Sequence, residues 1–155
     1  VARLEWAVNS ALHAPDAAPL DLARIAALPP DDHARIAFVP HPSLRIVHTN
    51  HPVDEIWRAV LAADEAAMAT IEPGCAPVRL LVQRTNLNVD VERIGAAESD
   101  FLAILCAGRP LQEALQHVPG LDASAALAGH LAAGRFVGFD LIDHGEAEPL
   151  TQAPT

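Results

Sequence analysis

Hydrophobic and polar positions in the second half of the chain change their period once, from two to about 3.6. Val78–Arg84 is rich in aliphatic residues, and Asn88–Ile94 alternates apolar with polar residues, as β-strands do. Thr85–Asn88 between them has the composition of a tight turn. From Ala96 apolar residues recur at helical spacing until Gly108. The pattern predicts a β-hairpin followed by a helix.

Two further helices are predicted from residues typical of helix ends. Pro110 precedes a helical pattern over Leu111–Val118, since proline is favoured in the first turn. Asp122 is placed to cap the next helix, and Gly134 ends it. Phe136–Leu141 is predicted as a short closing strand. A hairpin, three helices and a final strand in this order are typical of a winged-helix module.

The first half of the chain mixes helical and extended patterns. Val1–His13 carries an apolar stripe at helical spacing. Trp6, on an apolar helical face, is predicted to pack in the core or between domains, and the alternative is that it anchors a partner. Asp21 is placed to cap a second, short helix. Leu44–His48 is predicted as a strand and Val53–Met68 as one continuous helix. The expected buried face of that helix consists of Ile56, Trp57, Val60 and Leu61.

These patterns predict an α+β fold in three parts. Residues 1–76 form a helical and strand-containing N-terminal portion with a linker, residues 77–142 the winged helix, and residues 143–155 an acidic flexible tail. The helical pattern starts at Val1 without a cap, so we expect a fragment of a longer protein. No apolar run approaches the ~20 residues that span a bilayer, so we expect a soluble, cytoplasmic protein without a membrane anchor.

Charge limits the partners that such a module can bind. The chain has twenty acidic and ten basic residues, and its net charge is −10. An acidic protein repels phosphate backbones unless it presents a local basic face. In a DNA-binding winged helix the third helix enters the major groove. Here that helix, approximately Ala123–Ala133, has no Arg, Lys, Asn or Gln to contact a base edge, so nucleic acid is not an expected partner.

Sequence patterns of catalytic and metal sites are missing. There is no Gly-x-Ser-x-Gly, no phosphate-binding glycine loop and no obvious carboxylate pair. His41, His48 and His51 are close in sequence but lack a third-ligand pattern, so we interpret them as surface histidines. Cys75 and Cys106 are predicted as buried or half-buried thiols rather than a disulfide. We expect no catalytic residue, no metal and no cofactor.

A peptide-binding groove is the remaining candidate site. If the second hairpin strand lies at a sheet edge, an extended peptide can add to it as one more strand. Asp90 and Glu92 would favour a peptide that carries Lys or Arg. The alternative is a winged-helix core without a ligand at that edge. The predicted peptide-binding residues are Val89, Asp90, Val91, Glu92 and Arg93 on the strand, with Leu127, His130 and Leu131 on the third helix. For His130 the alternative is a surface histidine or a satisfied core histidine.

Two family resemblances connect this groove with a function. The two hairpin strands, Ala97–Gly108, Pro110–Leu115 and Leu131–Phe136 resemble the PqqD-like domains that recognise peptides in pathways modifying ribosomally made peptides. Residues 1–141 also look like the C-terminal part of HvfC/BufC-type proteins, long described as having a DNA-binding N-terminal domain. The motifs that carry this second resemblance are Ala2–Ala7, His13-Ala14, Leu28–Asp32, His41–Arg45 and His51–Trp57.

The second resemblance implies an adaptor. HvfC/BufC-type proteins are understood as partners of multinuclear non-haem iron oxidative enzymes, to which they bring a precursor peptide for modification of its cysteines. This chain would then bind the leader of the precursor, and the iron would belong to the enzyme. The sequence departs from the family where His51 replaces an expected aromatic residue. The alternative is a transcriptional regulator whose DNA-contacting domain is not in this chain.

Overall fold

The computed structural model describes residues 1–72 and 74–142. Its helices are α1 (Ala2–Leu12), α2 (Leu22–Ala26), α3 (Val53–Leu61), α4 (Glu65–Thr70), α5 (Ala96–Cys106), α6 (Leu111–His117) and α7 (Ala123–Ala132). Its strands are β1 (Ile36–Pro40), β2 (Arg45–Thr49), β3 (Val78–Thr85), β4 (Asn88–Arg93) and β5 (Phe136–Leu141). A 3-10 helix, Pro30–Arg35, precedes β1. Helices and antiparallel strands together confirm the predicted α+β class. The predicted flexible tail, 143–155, lies outside the described residues.

Each of the two sheets combines strands from both halves of the chain. β2, β3 and β4 form an antiparallel sheet with β3 in the centre, whereas β1 and β5 form an antiparallel pair. The predicted closing strand is therefore present as β5, but it pairs with β1 rather than with the hairpin. A lone two-stranded hairpin is only marginally stable, and β2 supplies its third strand. The division into domains at residue 76 stays a prediction.

The three-stranded sheet is covered on both faces. On one face, Leu4 and Ala7 of α1 join Leu80 and Val82 of β3 in a buried cluster. On the other face, Leu81 belongs to the main core, together with Phe101 of α5. Successive residues of β3 thus serve opposite faces, as the two-residue period of a strand requires. The sheet is the layer on which both halves of the chain pack.

The predicted long helix over Val53–Met68 is interrupted. α3 ends at Leu61, and Ala63 takes a left-handed conformation with φ of 49°. Asp64 then caps α4, because its carboxylate accepts a hydrogen bond from the Ala67 N–H at 2.9 Å. Asp and Asn at such positions compete with the helical backbone and favour a new helix start. Because the helical apolar pattern continues from Val53 to Met68, the sequence did not predict this cap.

The buried faces of two helices also differ from expectation. In α3 the side chains of Val60 and Leu61 are exposed, whereas Val53, Asp54 and Ala59 are buried. Trp6, predicted as a packing residue, is 73% exposed. A stripe of apolar residues shows that a helix is amphipathic, but the partner decides which edge of the stripe is covered.

Asp54 explains the orientation of α3. Its fully buried carboxylate accepts hydrogen bonds at 2.8 Å from both Nε and Nη2 of Arg93 on β4, and at 3.0 Å from Nη1 of Arg58. Arg93 also reaches Glu55 at 2.6 Å. Burial alone would raise the pKa of Asp54, but the hydrogen bond and charge of Arg93, together with Arg58, hold that pKa below its ordinary value. The cluster ties α3 to β4.

We expect Asp54→Asn to lower the free energy of unfolding by about 2 kcal/mol at pH 7, because charge-assisted hydrogen bonds are lost. The lowered pKa stabilises the fold above the unfolded value of about 4, and this contribution disappears as the pH falls through the folded value. The stabilities of wild type and variant, measured by urea unfolding, should therefore approach each other as the pH falls below about 4. Glu55→Gln, which removes a half-exposed partner of Arg93, is the matched control and should cost less than about 1 kcal/mol. Equal losses in the two variants would contradict the role of Asp54.

Candidate functional site

The predicted peptide-binding strand, β4, forms one edge of the three-stranded sheet. Its ladder with β3 fixes the direction of its backbone groups: the Ile94 N–H donates to the Arg79 carbonyl at 3.0 Å, and the register is unbroken to the two-residue turn. Since alternate residues of an antiparallel strand point to opposite sides, Val89, Val91 and Arg93 direct their N–H and C=O groups away from β3. The structure thus offers three backbone donors along this edge.

One side chain already occupies part of the edge. Nη2 of Arg58 donates to the Val91 carbonyl at 2.9 Å. The Arg58 side chain is 50% exposed, so water can replace this contact at small cost. In the described part of the chain, the outward N–H groups of Val89, Val91 and Arg93 have no hydrogen-bond partner. A peptide strand would need to displace Arg58 from only one carbonyl.

The groove beside β4 has a different helical wall from the one predicted. This β4 groove has a volume of about 290 Å³, and Ala133 and Arg135 line it opposite Asp90 and Glu92. Nη2 of Arg135 spans it to Glu92 at 2.7 Å. The remaining lining residues are Leu81, Gln83 and Thr85 of β3. The end of α7, rather than its middle, therefore faces the strand.

The three residues predicted on the third helix do not line the β4 groove. Leu127 and Leu131 are half-buried against the main core. His130 is fully buried, so it cannot contact a peptide on this surface. These residues have the predicted helical spacing, but the apolar side of α7 packs on the main core. Their predicted place on the wall of the groove is therefore wrong, whereas the burial of His130 agrees with the alternative interpretation of this residue as a core histidine.

His130 supports the groove wall instead. Its Nδ1 lies 2.5 Å from Nη1 of Arg135 and accepts from that donor, which leaves the proton of the neutral ring on Nε2. Nε2 is buried without a hydrogen-bond partner and lies 3.7 Å from the Glu98 carboxylate. Burial, followed by the charge of Arg135, lowers the pKa of His130 to about 4. A neutral His130 thus positions the guanidinium that meets Glu92.

Sequence reasoning missed two serine–histidine contacts. Nδ1 of His41 lies 2.9 Å from Oγ of Ser43, and Nε2 of His48 lies 2.9 Å from Oγ of Ser99. Both serines are fully buried. The second pair joins residues 51 positions apart, so no local pattern could have indicated it. These contacts fix β2 and its preceding turn, and neither serine is open to a substrate.

Metal-ligand and thiol chemistry is sparse in this structure. Within residues 1–72 and 74–142 there is no group of three or more His, Cys, Asp or Glu residues that could hold a metal ion. Cys75 and Cys106 are both free. Cys75 is exposed, contrary to expectation, while burial raises the pKa of Cys106 to about 11. None of the helices in the described ranges is long and apolar enough to cross a membrane.

The lowered pKa of His130 predicts a pH dependence of stability. The unfolded chain takes up a proton near pH 6.5, whereas the folded chain resists it until about pH 4, so stability is complete above pH 6.5 and falls between these values. At about 1.4 kcal/mol for each pH unit between the two pKa values, we expect His130 to account for a loss of about 2 to 3 kcal/mol by pH 4.5. Chemical unfolding at pH 7 and pH 4.5 measures it.

His130→Gln should remove this pH-dependent loss, whatever its effect on stability at pH 7. The exposed His117→Gln is the matched control and should keep the wild-type dependence. A wild-type slope in the His130 variant would contradict the assignment.

Comparison of the chain with known proteins does not identify this site. No family model, no curated protein and no solved structure matches the chain. The resemblances to PqqD-like domains and to HvfC/BufC-type proteins therefore stay predictions from the sequence, and the function has to be inferred from the geometry described above.

Proposed function

We propose that this chain is a non-catalytic adaptor that binds the leader of a ribosomally made precursor peptide. It presents the peptide to a multinuclear non-haem iron oxidative enzyme in the cytoplasm, which modifies cysteines of the precursor. The observation that carries the proposal is the β4 edge, where Val89, Val91 and Arg93 direct their backbone groups away from β3. In the proposal, iron and oxidative chemistry belong to the enzyme.

Strand addition at β4 would give the leader both affinity and orientation. Backbone hydrogen bonds to the three outward residues hold an extended peptide without regard to its sequence. Alternate side chains of the peptide then fall on the face of the β4 groove, beside Asp90 and Glu92. Both carboxylates are exposed, and Asp90 forms no ion pair within the described part of the chain. A Lys or Arg of the leader would pair with Asp90 there.

Opening the β4 edge for a peptide costs little free energy, because the peptide replaces a hydrogen bond that Arg58 makes in the free protein. In the free protein its guanidinium satisfies the Val91 carbonyl, and a peptide N–H would take over that role. Arg58 keeps its other contact, to Asp54 at 3.0 Å. One hydrogen bond replaces another, so the net cost of opening the edge is small. Arg93 stays bound to Asp54, so β4 remains tied to α3 during the exchange.

Val91→Pro is the sharpest test of the edge. Proline removes the outward N–H of residue 91, which makes no bond to β3, and proline is tolerated at such positions of edge strands. We expect the variant to fold and to bind the leader about tenfold more weakly or worse, since a backbone hydrogen bond is lost and the ring obstructs pairing. Val91→Ala is the matched control, because it shortens the same side chain and keeps the N–H.

The measurement is affinity capture with the full-length protein from its native host, followed by mass spectrometry. Wild type and Val91→Ala should recover an iron-dependent oxidative enzyme and a short Cys-containing peptide. Folded Val91→Pro, checked by circular dichroism, should recover the enzyme but lose the peptide. Equal peptide recovery by Val91→Pro would contradict the edge site. Recovery of specific DNA with neither enzyme nor peptide would contradict the adaptor and favour a regulator.

A further inference from the structure

The opposite edge of the three-stranded sheet is also open. β2 pairs only with β3 in the described part of the chain. The Arg84 N–H of β3 points toward β2, where it donates to Oγ of Ser43 at 3.1 Å. By alternation, Arg45 and Val47 pair with β3, whereas Ile46 and His48 direct their backbone groups outward. No hydrogen bond within the described chain uses those outward backbone groups.

A groove of about 690 Å³ runs between this edge and the first helix. We call it the α1/β2 groove; it is lined by Ala2, Arg3, Trp6 and Ala7 of α1 and by Arg45–His48 of β2. Trp6 is the most informative of these residues, because 73% of it is exposed. A large exposed aromatic side chain beside unpaired backbone groups is typical of a binding surface.

The charge of the α1/β2 groove is opposite to the charge of the protein. Arg3 and Arg45 both line it, and neither forms an ion pair with a carboxylate of the described residues. Nη1 of Arg45 donates to the Pro42 and Leu44 carbonyls, which holds the side chain in place. In a chain of net charge −10, two guanidinium groups without acidic partners form a local site for negative charge.

We propose that the α1/β2 groove binds an extended acidic segment of a partner protein. The segment adds to β2 as a fourth strand, with hydrogen bonds to Ile46 and His48, and packs an apolar side chain on Trp6. Its carboxylates meet Arg3 and Arg45. This surface lies at the sheet edge opposite β4, so it is a second site with its own electrostatic preference and does not depend on the peptide site proposed above.

A second copy of this chain fits the groove less well. Two β2 strands paired edge to edge in a symmetric dimer would bring Arg3 and Arg45 of one copy toward the same residues of the other. Like charges facing each other across a strand pair are destabilising. An acidic segment removes this repulsion and replaces it with charge-assisted hydrogen bonds. Charge therefore favours a partner of different sequence.

Binding in the α1/β2 groove can be followed by the fluorescence of Trp6. The chain contains two tryptophans, so Trp57→Phe leaves Trp6 as the single emitting indole. The probe is a capped peptide of about ten residues, a length that can pair along a strand, with Thr at every second position and Val and Glu alternating at the others, so that one face of the paired strand carries both apolar and acidic side chains. We expect the peptide to shift Trp6 emission to shorter wavelength in a saturable titration, because the indole leaves water. The matched peptide with Lys in place of Glu should give no shift.

Variants of β2 decide whether the peptide adds as a strand. Ile46→Pro removes an outward N–H that makes no bond to β3, and it should weaken binding of the acidic peptide about tenfold. Ile46→Val keeps the N–H and should bind like the parent protein. Arg3→Gln changes an exposed residue that forms no hydrogen bond or ion pair with the described residues. It should weaken binding severalfold and make binding less sensitive to salt.

Three results would overturn the proposal. The first is that the acidic peptide does not shift Trp6 emission, and the second is that Ile46→Pro binds this peptide as well as Ile46→Val does. The third is that Trp6 emission of the free protein moves to shorter wavelength as the protein concentration rises and a dimer forms, which would assign the groove to a second copy. Val91→Pro should leave binding of the acidic peptide unchanged, so failure of the β4 site and failure of this one are distinguishable.

Discussion

β3 is the strand on which the rest of the structure depends. It pairs with β2 on one side and β4 on the other, and its residues contribute to the buried clusters of both sheet faces. Leu80 and Val82 are fully buried beside α1, while Leu81 is buried in the main core. Because its hydrogen bonds and both faces are used internally, β3 leaves recognition to the two neighbouring strands. Both proposed sites follow from this central position.

The two edges carry opposite charges, and this difference can separate their partners. Asp90 and Glu92 stand beside the β4 edge, whereas Arg3 and Arg45 stand beside the β2 edge. The unpaired backbone groups of an exposed strand edge can pair with any extended chain, so a folded protein must limit which chains bind there. Local charge does so by steering basic segments to one edge and acidic segments to the other. An adaptor that has to hold a peptide and an enzyme together would need two such distinct surfaces.

The ion cluster around Asp54 links stability with the candidate site. Arg93 belongs to the strand that is proposed to bind the leader, and Asp54 and Glu55 hold it from α3. Arg58 bridges the same aspartate and the outward carbonyl of Val91. The orientation of α3 and the partial cover of the β4 edge thus have one cause. On the other side of the sheet, buried His130 plays a comparable part by holding Arg135 toward Glu92.

The sequence predicted the features that depend on residues close to each other along the chain. The alternation in Asn88–Ile94 predicted β4, and Asp21 and Asp122 cap helices as expected. Gly108 and Gly134 follow helices with φ of 70° and 65°, values that favour glycine. Each of these signals involves neighbours a few residues apart. The acidic residues of the candidate peptide site were found for the same reason, because they alternate along one strand.

Tertiary structure decided everything that requires two distant segments to meet. Only the fold shows that β5 pairs with β1, that Asp54 meets Arg93, and that His130 is buried while Trp6 is exposed. An apolar stripe or a histidine on a helix has the same local pattern whether it faces a core or water. The sequence by itself therefore determined most of the elements and their order, although not the break between α3 and α4, while the packing of β3 determined which strands became edges and which charges stand beside them.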